Sequence, residues 1–300
     1  MGFYVKFWGT RGSIPTPGYL TQVYGGNTAC VEIRIDDVLF ICDGGSGLRE
    51  LGLNLLKRGK SPITGHLFLS HAHWDHIQGF PFFLPVYNPA NTFWVYGSSS
   101  GDTRLYRLLS GQMQSDYFPV KFSDLGAKIL SDDLGEGEKV IEGVKVRCTE
   151  QIHHGPSYGY SFEKDDRKVV YATDHEVDQV IVNKEEVERD PSVMRKIPDD
   201  YLDFLRGADL LIADGQYTDE EYPKRIGFGH ARANTLVDMA IQAEARQLAI
   251  THHEPLHSDD MVKQKIVDCR KRAEDFGASE LVIFGAREGM ELRIDAPKGR

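Results

Sequence analysis

The segment Gly65-His-Leu-Phe-Leu-Ser70 runs directly into His71-Ala-His73-Trp-Asp75-His76, and this junction constrains the chain more than any other stretch. Its first half is an apolar run of the length of a buried strand. Its second half places three imidazoles and a carboxylate within six residues. With only 11 histidines in 300 residues, chance would give this pattern in roughly one such chain per thousand. Neutral imidazole and carboxylate are the donors that hold Zn²⁺, Fe or Mn²⁺. A loop leaving the C-terminal end of a strand can direct alternate side chains to two neighbouring points. His71 and His73 then suit one metal ion, Asp75 and His76 a second. Two ions about 3.5–4 Å apart can share a bridging hydroxide and clamp both oxygens of a displacement. A loop whose polar residues only cap the next helix is the ordinary explanation for a lone histidine, and it fits this cluster poorly.

The rest of the chain reads as a scaffold for such a loop. Strands are predicted at Phe3–Trp8, Thr28–Ile35, Val38–Cys42, Gly65–Ser70 and Thr92–Tyr96, with a turn at Asp36-Asp37. In the second half they are predicted at Lys139–Thr149, Gly159–Glu163, Lys168–Ala172, Asp209–Ala213, Gln247–Thr251 and Glu280–Phe284. Helices are predicted over Ser46–Arg58, Asp102–Leu109, Ala231–Ala245 and Asp259–Phe276. Gly111 to Asp124 reads as a long aromatic-bearing loop, and Val177–Arg206 as a helical surface excursion. Strand-rich blocks closed by helices, occurring twice, predict an α/β chain of two mixed sheets packed face to face with helices outside. No composition break marks a boundary, so residues 1–300 are expected to form a single domain.

Composition removes whole classes of function. The hydrophobic share of 41% and charged share of 27% exclude a disordered chain. Lys plus Arg is 35 against 45 Asp plus Glu, a formal charge of −10, which disfavours long nucleic acid because such binding rests on phosphate neutralisation. No apolar run reaches 18 residues, so no membrane partner is expected. Cys30, Cys42, Cys148 and Cys269 lack metal or redox spacing; together with a start unlike a secretory signal, they predict reduced buried thiols and a cytoplasmic protein. The oligomeric state is left open, a homo-oligomer included.

Two metals need further ligands, and three strand ends offer them. His153-His154 precedes the strand at Gly159, Val169-Val-Tyr-Ala-Thr-Asp174 ends in a carboxylate, and Leu248-Ala-Ile-Thr-His252-His253 ends in imidazoles. With the strand ending in Asp43 and the Gly229-His230 element, these pieces resemble the metallo-β-lactamase superfamily over most of the chain. His-x-x-Pro-x-x-Gly-Tyr at His153–Tyr160 is closest to its ribonuclease Z and phosphodiesterase branch. The resemblance implies an αββα sandwich with a binuclear site of divalent ions, Zn foremost, with Mn or Fe as alternatives. His71, His73 and His153 would bind one ion, Asp75, His76 and His252 the other, and Asp174 would bridge. His154 and His253 are the alternatives to their neighbours. His230, in the family position of a histidine that contacts the scissile phosphate or protonates the leaving oxygen, would be the acid, a role suited to an imidazole near neutral pH.

Asp43 and Asp214, each following an apolar strand, are candidates for orienting ligand histidines. Asn27 is a weaker candidate for the same network. Arg11, after the first strand, and Arg232, standing where related chains often carry a hydroxyl after Gly-His, are candidates for binding an anionic substrate. Trp74, Phe80, Phe82, Phe83, Tyr117 and Phe118 could wall a pocket and stack a base, although core packing is the default for most of them.

Two departures narrow the reaction. Ribonuclease Z carries a long tRNA-gripping arm between the third histidine motif and the bridging aspartate, whereas His153 to Asp174 here leaves room for one hairpin. Flavodiiron proteins place Glu where His73 stands. The expectation is therefore a binuclear metal-dependent hydrolase of small phosphodiesters such as a cyclic nucleotide, with the bridging hydroxide as nucleophile and Asp75 orienting it. A lactone, thioester or β-lactam hydrolase on the same ions is the alternative; a non-catalytic ligand sensor is the third reading.

Overall fold

The computed structural model describes residues 2–97, 102–132, 134 and 137–295. The chain divides into two compact units, Met1–Gly137 with Arg287–Ile294, and Glu138–Ala286 with Asp295–Arg300. Each is built on a seven-stranded mixed sheet.

In the first unit, β1 (Phe3–Gly9), β2 (Cys30–Ile35) and β3 (Val38–Cys42) form an antiparallel meander. Asp36 makes the tight turn of its hairpin at φ 55°, a conformation that a short polar side chain tolerates. Then α1 (Gly47–Lys57) crosses over, and β4 (Thr64–Leu69) joins β3 in parallel. The helix forms because Leu48, Leu51 and Leu55 recur on one face; that face packs with Ile41, Leu67 and Val95 in the core. β4 runs into α2 (Trp74–Ile77), and β5 (Thr92–Gly97), α3 (Asp102–Gly111) and β6 (Lys128–Asp132) follow. A strand at Glu291–Arg293 closes the sheet beside β1.

The second unit opens with β7 (Gly137–Ile141), β8 (Val144–Gln151), β9 (Ser157–Lys164) and β10 (Arg167–Ala172). β8, β9 and β10 pair antiparallel. From β10 onward the sheet is parallel, through β11 (Leu210–Asp214), β12 (Gln247–Thr251) and β13 (Val282–Gly285). The crossovers carry α4 (Lys184–Arg189), α5 (Asp199–Leu205), α6 (Ala233–Gln242) and α7 (Asp259–Asp275). Leu205, Leu236, Val237, Ile266 and Cys269 from these helices meet Val170, Leu211, Leu248 and Ile250 from the strands in one core.

One expected strand divides in two, and two strands were not expected. Lys139–Thr149 is not one strand but two, because Glu142 (φ 49°) and Gly143 (φ 77°) form a two-residue turn between β7 and β8. Paired positive φ is what a tight hairpin of this hand requires. β6 and the strand at Glu291–Arg293 escaped the pattern reading because their sides are only half-buried or exposed, which leaves no strong alternation. The excursion at 177–206 does carry helices, α4 and α5, and all four cysteines are buried free thiols. Among the described residues, no helix is long and apolar enough to cross a membrane.

Two hydrogen bonds seat the histidine loop. Gly44 N–H donates to the His76 carbonyl at 2.7 Å, and Gly79 N–H donates to the Gly44 carbonyl at 2.8 Å. A Cβ on Gly79 would lie 1.9 Å from the Gly45 carbonyl oxygen. Gly79→Ala is therefore expected to lose about 1–3 kcal/mol or more of stability through overpacking, measured by urea denaturation. Gly111→Ala, where an added Cβ meets nothing within 4 Å, should stay neutral or gain slightly.

Candidate metal centre

Parallel strands end their pairing at one edge of a sheet, and ligand sites in α/β proteins gather there. In the first unit that edge belongs to β3 and β4, which run on into Asp43 and Ser70. Asp43, at φ 62°, accepts the Ser70 N–H at 2.7 Å, the Ser70 hydroxyl at 2.8 Å and His76 Nδ1–H at 2.7 Å. His71 packs against both other histidines, with ring centroids 4.4 Å from His73 and 4.2 Å from His76, and its Nδ1 lies 3.0 Å from Ser70 Oγ. Asp75 accepts the Ser13 N–H at 2.7 Å and sits 3.2 Å from His76 Nε2. The four motif residues are thus brought together within this unit, with His73 exposed and the other three buried.

In the second unit β10, β11 and β12 are adjacent and parallel, so Asp174, Asp214 and His252 emerge in a row. One ligand atom from each of Asp174, Asp214, His230 and His252 lies within 4.8 Å of every other. His252 Nε2 is 3.4 Å from Asp174, and His153 Nε2 is 3.7 Å from it. Asp214 accepts His230 Nδ1–H at 2.6 Å, while His252 Nδ1 faces Gln216 Oε1 at 3.2 Å. His153 donates through Nδ1 to the Gly229 carbonyl at 2.8 Å. Gly229 could be nothing else, since its φ is 89° and a Cβ would fall 2.1 Å from His153 Nδ1.

The alternatives to two of these histidines point elsewhere. His154 is exposed and bonds the Gly227 carbonyl, and His253 bonds the Ala286 carbonyl at 2.8 Å. The two arginines expected to meet an anion do not present themselves for it. Arg11 is fully buried, donating from Nε to the Gly25 carbonyl at 2.8 Å, so it braces its own loop. Arg232 grips Asp178 with Nε and a terminal nitrogen, both at 2.8 Å, and packs over the Tyr222 ring. Asn27 bonds Ser46 and Glu288 in the first unit. Of the aromatic candidates, Phe80 and Phe83 are core, while Trp74, Phe82 and Tyr117 are exposed and Phe118 packs partly buried against that core.

Three further residues organise this centre. Glu176, two residues beyond Asp174, accepts the Tyr222 hydroxyl and the amides of Gly227 and Gly229 at 2.7–2.8 Å. Burial disfavours its charge, but those bonds and one from Gln179 outweigh it and hold the carboxyl below its ordinary range. It therefore fixes the loop that carries His230. Gln216 faces His252 and donates to Glu254 at 2.7 Å. Lys265 on α7, also buried, donates to the carbonyls of Gly215 at 2.6 Å and Gln216 at 3.0 Å. Glu176 and Gln216 had a sequence signal, since each lies two residues past an apolar strand-end carboxylate. Lys265 had none, because a lysine in a helix reads as solvated.

This donor set fits divalent metal ions. Asp174 and Asp214 are both about 1% exposed, and two buried carboxylates in one cluster demand positive charge close by. His71, His76, His153, His230 and His252 each have Nδ1 engaged, which leaves Nε2 as the outward donor, the arrangement typical of metal-bound imidazole.

Known proteins agree with the fold. Residues 40–253 match the model of the beta-lactamase superfamily domain. A ribonuclease Z of Haloarcula marismortui is 24% identical over 98% of this chain and 97% of its own length. Among solved structures, the metallo-beta-lactamase fold protein YhfI of Bacillus subtilis aligns at TM-score 0.66 with 16% identity, covering 98% of this chain and all of that one. A diphosphatase of the PhnP family aligns at 0.65 with 18% identity and 98% of each chain. At these identities the structural likenesses establish the metallo-β-lactamase fold alone.

Lys265 supplies a test of the second unit. Burial lowers its ammonium from 10.5 to about 8, so between those values the unfolded chain holds a proton that the folded chain has shed. Stability must then rise with pH across that window. Relative to Lys265→Met, the wild type should gain about 2 kcal/mol between pH 8 and about 9.5, read from urea denaturation at both pH values.

Proposed function

The chain belongs to the metallo-β-lactamase superfamily, and from that premise we propose that it is a binuclear metal-dependent phosphodiesterase acting on a small anionic phosphodiester, such as a cyclic nucleotide, in the cytoplasm. In this reading residues 1–300 work as one domain. His71, His73 and His153 would hold one ion and Asp75, His76 and His252 the other, with Asp174 as a ligand shared between them. Zinc suits these donors, as do manganese and iron. When bound, the ions supply Lewis acidity and a water acidified towards neutral pH.

The protein's own groups do the rest. Asp75, fixed by the Ser13 amide, accepts a hydrogen bond from the attacking water and orients it. His230 delivers its Nε2 proton to the leaving oxygen, and Asp214, 2.6 Å from Nδ1, stabilises the charged imidazole and holds the ring in place. The observation that carries this reading is that dyad beside the metal-ligand cluster, because an alkoxide leaving group needs an acid and a carbonyl substrate with a good leaving group does not. Glu176 and Gly229 support it by fixing the His230 loop.

The full-length likeness to a protein named ribonuclease Z favours a second reading, maturation of RNA ends. Against it stand the −10 charge and the compact β9–β10 hairpin that fills the span from His153 to Asp174.

Purified protein should carry two metal ions per chain by elemental analysis, hydrolyse bis-(p-nitrophenyl) phosphate, and lose that activity to a chelator. His230→Ala should keep both ions and lower kcat by about 10²–10⁴. Full turnover in that variant removes the acid assignment. Stronger turnover of lactones, thioesters or a tRNA precursor than of small phosphodiesters, at equal protein concentration, overturns the substrate assignment.

A further inference from the structure

The loop between Asp214 and His230 carries a cation in an unusual setting. Arg225 lies over the Phe228 ring at 5.4 Å and the Tyr217 ring at 6.0 Å, and it makes no ion pair with any described residue. In a chain with ten more acids than bases, a guanidinium held by rings and not by a carboxylate is uncommon; Arg147, over the Phe204 ring at 5.8 Å, is another in this unit. Other arginines of this unit are committed, Arg195 to Asp219, Arg232 to Asp178, Arg246 to Asp209 and Arg272 to Asp238. Tyr217 also contacts His230, with ring centroids 6.0 Å apart and edge to face. One aromatic ring therefore separates Arg225 from the proposed acid.

The setting is pre-organised. Arg225 N–H donates to the Tyr222 carbonyl at 2.7 Å, and the Arg225 carbonyl accepts from Phe228 at 3.0 Å. The next turn is held by Glu176 through Gly227 and Gly229. Stacking on rings fixes the plane of a guanidinium while leaving its N–H edges able to form a paired bond to carboxylate or phosphate. A group so fixed loses little freedom on binding. Phe228 is half exposed, which leaves this side of the loop open to solvent.

Resting on the phosphodiesterase reading, we infer that Arg225 is a substrate-binding, specificity-determining residue. It recognises a second anionic group, a phosphate or carboxylate about one ring's width from the phosphodiester that His230 serves. The substrate class is thereby narrowed to compact phosphodiesters bearing a further negative charge. Arg225 acts on binding rather than on the chemical step, since its distance from His230 keeps it off the leaving oxygen.

The p-nitrophenyl ester of thymidine 5′-phosphate, with and without a 3′-phosphate, tests this. The wild type should prefer the 3′-phosphorylated ester. Arg225→Gln should raise KM for that ester about ten- to hundredfold, leave kcat unchanged, and stay within about twofold of wild type on the ester lacking the 3′-phosphate. Arg225→Lys should fall between, keeping charge without the planar fork. Equal losses on both esters, or none on either, overturn the inference while the phosphodiesterase reading stands. A wild type that cleaves neither ester overturns both. Should Arg225→Gln not fold, the wild-type preference itself must fall as salt is raised, because an exposed ionic contact is screened; a salt-independent preference also overturns it.

Discussion

In each unit the site histidines with an identified bond are gripped through Nδ1, and the proposed chemistry depends on that grip. Asp43 holds His76, Asp214 holds His230, the Gly229 carbonyl holds His153 and Gln216 faces His252. A neutral imidazole whose Nδ1–H is donated must offer its lone pair at Nε2, so tautomer and direction are set by one bond. Without these partners the rings would rotate independently. With them, the donors within each unit are oriented before any ion arrives, and the cost of ordering them is met during folding.

That convergence strains the backbone. Asp43, Asp174 and His252 all have positive φ, between 52° and 62°, and each lies one or two residues past the end of a parallel strand. Such conformations cost on the order of 1 kcal/mol or more for a non-glycine residue and persist only where the surroundings over-determine them. Here the surroundings do. Asp43 makes three short bonds to Ser70 and His76, and Asp174 takes the Thr173 hydroxyl at 2.7 Å. The left-handed turn redirects each side chain out of the strand's alternation, so a residue due to face one side of the sheet faces its edge instead.

This explains what was legible in the sequence. Strand ends could be read because buried parallel strands are near-continuous apolar runs, and a polar residue closing such a run stands out. His71 to His76, Asp174, Asp214 and His252 were all visible in that way. His153 was preferred to His154 as a ligand on the family resemblance, which places that histidine six residues before Gly159; His154 lies exposed. Arg11 and Arg232 were misjudged for a common reason: the groups that occupy them are remote or featureless. Asp178 is 54 residues from Arg232, and an acceptor for Arg11 is a backbone carbonyl. No local pattern announces either. β6 and β7 were missed or merged because weakly buried strands lack periodic contrast.

The same accounting of charge bears on how an acidic chain can receive an anion. Net charge acts at long range and is screened within about 8–10 Å at physiological salt, so the local balance decides. Asp178, Asp209 and Asp238 are buried and each is matched by an arginine, which cancels them as sources of repulsion. Asp43, Asp174 and Asp214 take hydrogen bonds from imidazoles, hydroxyls and amides. Those partners orient a carboxylate without neutralising it. The residual negative charge is thus concentrated where cations would be ligated, and bound divalent ions would reverse its sign. The proposed anionic substrate would then complement a site that, from the protein atoms alone, ought to repel it.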